Sequence, residues 1–208
     1  MRHQTTRELF QYWNALRGRR AAPDRADIDL AAIRSLIADM FMLDVDAAHR
    51  FPFVLAGTRV NALACAEQNG RSFLKLWPEH EARNIAAMLL TVMDASRPMV
   101  ATATAAPAGG SNLEVEILFL PLGRHRQARA RILGLIAPEA PTSWLGLRPI
   151  EDMKLQALHM IEDSVTSREF DVRTQFRTAL ASAQARQADR PARNVRHLRV
   201  IDGGRKIS

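Results

Sequence analysis

The chain holds one cysteine, Cys65, in 208 residues. That excludes an intrachain disulfide framework and a cysteine-rich metal site. It also lacks long apolar runs. The longest in the strand-like region, Ile132–Ala137, is far short of a membrane span. The N-terminal MRHQTTRELFQYW has no continuous apolar stretch, so no signal peptide is expected. These features fit a reducing, cytoplasmic setting. No P-loop, dinucleotide glycine pattern or metalloprotease motif occurs, and no Gly-x-Ser-x-Gly elbow points to a nucleophilic serine. The histidines (His3, His49, His80, His125, His159 and His197) never fall three or four apart, the spacing that sets two ligands on one helix face. An enzyme is not expected.

What the sequence has is the composition of a globular domain: 47% hydrophobic and 25% charged. The formal net charge is +7, unevenly spread. Residues 186–208 carry seven basic and two acidic side chains. Such a tail suits a solvated terminus, and its spaced arginines suit an acidic lipid or nucleic-acid phosphates. With no helix-turn-helix signal and no interleaved aromatics, nucleic acid is the less favoured partner.

Periodicity sets the elements. Leu9, Trp13 and Leu16 recur at helical spacing over residues 5–16, with Thr5 and Glu8 at capping-box spacing. Residues 18–29 are rich in turn formers, and Asp29 is placed to cap a short helix over 30–37. In DMFMLDV, Phe41, Leu43 and Val45 share one face. In RFPFVLAG, Phe51, Phe53 and Leu55 alternate inward, with Pro52 marking an edge strand. A helix over 59–68 with Thr58 as N-cap, short helical turns, and a stronger helix over 81–95 follow. Strands are expected over 99–106, 112–122 and 129–137, the first two joined by Gly109–Gly110. Apolar spacing at Ile150, Met153, Ala157, Ile161 and Val165 predicts a helix over 150–167, and Phe176 and Leu180 another over 171–187. The class is α+β, an antiparallel sheet with helices on one face. Four parts follow: helix and linker 1–29, a domain over 30–138, a linker and helical extension over 139–187, and a basic tail over 188–208.

The stretches FQYWNALRG (10–18), PDRADIDL (23–30), FPFVLAGTRV (51–60), GRSFLKLW (70–77) and the closing VRHLRVIDGG resemble a PAS family widespread in alphaproteobacteria. The resemblance implies a five-stranded antiparallel sheet with helices folded over one face of a small cavity. It also implies a stand-alone sensory or regulatory module that senses a small molecule, dimerises or recruits a signalling partner.

On that reading, Phe53, Leu55, Phe73, Trp77, Ile85, Met88, Val92, Ile117 and Phe119 converge between sheet and helices, lining an apolar pocket or filling it. Thr102, Thr104, Asn61 and Arg59 are the polar candidates beside them. Leu9, Trp13 and Leu16 are the candidate contact of a homodimer helix. No cofactor is expected. His80 has polar neighbours where a haem ligand needs a dry pocket, and Cys65 lacks the flanks of a photoactive flavin site and suits a small buried side chain.

Overall fold

The computed structural model describes residues 1–46, 48–123, 131–140, 142–161 and 168–169. The predicted helix over 171–187 and the basic tail lie outside the described residues.

Helix α1 spans Gln4–Arg17. Strand β1 is Met40–Asp44 and β2 is Phe53–Ala56. Helix α2 is Thr58–Leu63 and α3 is Glu79–Asp94. Strands β3 (Met99–Pro107), β4 (Leu113–Leu122), β5 (Arg131–Pro138), β6 (Ile150–Met160) and the two-residue β7 (Arg168–Glu169) complete the sheet. Its order is β2-β1-β5-β4-β3-β6-β7, and every neighbouring pair is antiparallel.

The five expected strands are all present. The sheet is nevertheless larger than five strands, because residues 150–160 form β6 and not a helix. They pair with β3 from Met99↔Met160 to Pro107↔Ile150. Two β-bulges explain the misreading. The register skips Gln156 between Thr102/Ala103 and Glu151 between Ala106/Pro107. The inward residues are therefore Ile150, Met153, Leu155, Leu158 and Met160, a spacing of alternate threes and twos that imitates a helix.

Helices lie on both faces of the sheet, not on one. The inner face carries the main core, where α2, α3 and a 3-10 turn at Phe73–Leu76 cover Phe41, Phe53, Ile117, Phe119 and the β6 side chains. On α3, Ile85, Met88, Leu89 and Val92 are the buried stripe. The outer face carries a second core. There Leu9 and Trp13 of α1 pack with Met40, Met42, Leu118, Leu120, Leu133 and Leu135. The indole N–H of Trp13 donates to the carbonyl of Pro121 at 2.8 Å in a buried position. Burial of Leu9 and Trp13 contributes about 2 kcal/mol each.

Helix α1 starts without a side-chain cap of its own. The carboxylate of Glu116 on β4 accepts the backbone N–H groups of Arg2 and His3 just ahead of it. The predicted Thr5–Glu8 capping box is absent; Glu8 accepts from Gln4 and Thr5 meets the ring of His3. Residues 30–36 form turns and not a helix, although Asp29 accepts the N–H of Ala31 as a local cap. Helix α2 is shorter than expected, with Gly57 as its N-cap residue in place of Thr58. Gly57 is needed there because a Cβ would collide with the carbonyls of Ile37 and Ala38.

Candidate functional site

The inner core is built around Phe73. Its ring centroid lies 5.4 Å from Phe41, 5.7 Å from Phe53, 5.8 Å from Phe119 and 6.0 Å from Trp77. The contacts with Phe53 and Phe119 are edge-on, an arrangement favourable for ring quadrupoles. Residues 69–73 are drawn onto β2 by backbone bonds, Phe53 N–H to Arg71 O and Phe73 N–H to Phe51 O. Those bonds deliver Phe73 to the cluster and cover the outer edge of β2, which Pro52 had marked as an edge strand. Phe51 itself is fully buried with φ +50, a strained conformation for a bulky side chain.

Eight of the nine expected pocket residues meet here. Phe53, Phe73, Trp77, Ile85, Met88, Val92, Ile117 and Phe119 are all buried in the inner core. Leu55 is not among them. It lies opposite Met42 and packs in the outer core, because a bulge places Leu43 opposite Phe53 and Met42 opposite Leu55. Val54, the extra residue, is exposed. The sequence reading missed Phe41, which belongs at the centre of the cluster and touches three of its rings.

None of the polar candidates points a free group into this core. Thr102 and Thr104 pair with Glu116 and Glu114 on the outer face. Asn61 accepts the N–H of Gln68 and donates to Glu67. Arg59 makes a two-pronged ion pair with Asp39, a buried carboxylate just ahead of β1. Its hydrogen bond to Asp39 raises the Arg59 pKa above the ordinary value, against the opposing effect of burial. The pair ties the start of α2 to the start of β1. Two other polar groups do lie in the inner region unpaired: the indole N–H groups of Trp77 and Trp144 are buried with no hydrogen-bond acceptor among the described residues.

The dimer-helix residues are placed differently from the expectation. Leu9 and Trp13 are covered by the chain's own sheet, and Leu16 is half-buried beside them. The apolar outer face of the sheet is what receives α1. Cys65 is exposed and not buried, with φ +46. His80 is exposed at the start of α3 beside Glu81. A shallow opening of about 140 Å³ lies on the outer face near the start of α1, lined by Arg2, His3, Thr102, Glu114, Glu116 and Glu139 among others. Among the described residues no group of three or more His, Cys, Asp or Glu could hold a metal ion, and no helix is long and apolar enough to cross a membrane.

An antiparallel sheet whose central strands are its fifth, fourth and third, roofed by short helices over an aromatic core, defines an α+β module. The chain belongs to the PAS domain family, whose model matches residues 1–137. PAS domains act as signalling sensory modules and are generally sensory rather than catalytic. Neither the curated proteins nor the solved structures contain a significant match to this chain.

Proposed function

We propose that this PAS module signals through contact with a protein partner, without a resident small molecule. The observation that supports this reading is the state of the inner core. Five aromatic rings converge beneath the helices, with Phe73 packed against the other four, as side chains pack in a core that holds no guest. Native mass spectrometry of the freshly purified full chain tests it. The expected result is the bare polypeptide mass, with no absorbance above ~350 nm, the range in which haem and flavin absorb. A stoichiometric adduct in the first spectrum overturns the reading.

The second reading is a small-molecule sensor, and the unpartnered indoles of Trp77 and Trp144 favour it. A buried donor without an acceptor costs on the order of 1–3 kcal/mol, and a ligand offering two acceptor atoms removes that cost. Under this reading the adduct disappears in Trp77→Phe and persists in Trp13→Phe, whose indole serves the outer face.

A further inference from the structure

We propose that β6 is a releasable strand, fastened by Glu81, that links the helices over the core to the C-terminal segment. The inference builds on the reading that the module signals by contact, and names the element that moves. β6 lies beyond residue 137, where the match to the family model ends. It nevertheless covers the whole of β3 and sends Met153 into the inner core.

The two ladders of β3 differ in kind. Towards β4 the register runs unbroken from Met99↔Phe119 to Ala105↔Leu113. Towards β6 it is broken twice, at Gln156 and at Glu151. Each bulge leaves a residue outside the ladder and weakens the pairing locally. The solvent-facing side of β6 is polar, with Lys154 and Gln156 exposed, while β4 and β5 are buried over most of their length. Beyond Leu158, β7 pairs only with His159 and Met160.

What holds β6 at its first bulge comes from the helix layer. The carboxylate of Glu81, in the first turn of α3, accepts the backbone N–H of Leu155 at 3.1 Å. The bulged residue adds a bond from the Gln156 amide to the Thr104 hydroxyl at 2.8 Å. A displacement of α3 therefore changes the fastening of β6 directly. Release of β6 uncovers the β3 edge and frees the chain that follows.

Amide hydrogen exchange on the full chain, read residue by residue, tests this. In the native protein the amides of Asp152–Leu158 are expected to exchange faster than those of β4 and β5. The β3 amides directed at β6 should exchange with them, and those directed at β4 should stay protected. Glu81→Ala should speed exchange in β6 on the order of tenfold, the factor produced by losing about 1.4 kcal/mol. Glu79→Gln, which alters the same helix turn without touching β6, should leave it unchanged. Exchange of β6 at the same rate as β4 and β5 overturns the proposal, and so does equal acceleration of every strand in Glu81→Ala. If Glu81→Ala fails to fold, the native exchange pattern alone decides. A ligand adduct in the mass spectrum would defeat the contact reading and leave this pattern untouched.

Discussion

The ring of Phe41 lies over Gly134, its register partner on the neighbouring strand, in the space that a side chain at 134 would occupy. A glycine in a central strand is costly in conformational entropy. Here it lets the aromatic cluster settle onto the sheet. Gly134→Ala is expected to destabilise the protein by about 1–3 kcal/mol, the usual cost of overpacking. Denaturant titration checks this. An unchanged midpoint would mean that the Phe41 ring can move aside freely.

Trp13 provides a test of what α1 does. Trp13→Ala should lower stability by about 3–5 kcal/mol, since a buried aromatic is lost together with its bond to Pro121. Trp13→Phe keeps most of the apolar surface and strands the Pro121 carbonyl, so a smaller loss of about 1–3 kcal/mol is expected. Light scattering on the same variants should show the same mass as the parent chain. A fall in mass would restore α1 to the dimer interface.

Truncation separates the family-matched region from the folded unit. A chain ending at residue 138 loses Met153, Leu158 and Ile150 from the core and bares the β3 edge. It is expected to aggregate or to lose cooperative unfolding, whereas a chain ending at residue 169 keeps a sharp thermal transition. Equal transitions in the two would show that β6 adds nothing to the core.

Arg59→Met removes one half of the α2–β1 tie and leaves the Asp39 carboxylate buried without its partner. The expected loss is about 1–3 kcal/mol. Asp39→Asn/Arg59→Met should recover part of it, because the uncompensated charge is then gone. Urea midpoints of the single and double variants provide the comparison.

The β1–β2 connection is expected to loosen in acid. Burial alone would raise the pKa of Asp46, but the backbone N–H, side chain and charge of Arg50 outweigh it, and the result is lower than the ordinary 3.8. The Arg50 bonds measure 2.6 and 2.9 Å. A carboxyl depressed in the folded state stabilises fully above its unfolded value and loses that contribution as pH falls through the folded one. Chemical shifts of His49 and Arg50 followed below about pH 4 should report the loss. Arg50→Ala should move the midpoint upward.

Alternating hydrophobicity was enough to locate β1 and β4, and helical spacing the inward stripe of α3, because a residue's face follows from its number wherever strand and helix are regular. The same rule failed at Leu55 and over residues 150–160, and for one cause. Bulges at Val54, Glu151 and Gln156 each shift the alternation by one residue, which turns a side chain to the other face or makes a strand look helical. Cys65 shows a related limit. Its small apolar neighbours suggested burial, but the chain leaves α2 there with positive φ and turns the thiol outward.

Local pattern in the chain thus sets which segments are strands, which stripe of α1 is apolar and which side chains are candidates for the core. Pairing across the sheet sets the rest. Whether Leu9 and Trp13 meet a second subunit or their own β4 and β5, and whether the aromatic residues enclose a cavity or fill it, depends on contacts between residues far apart in the chain, as Trp13 is from Pro121 and Phe41 from Phe119. Such contacts form only when the strands have taken their register, and no spacing within one segment encodes that choice.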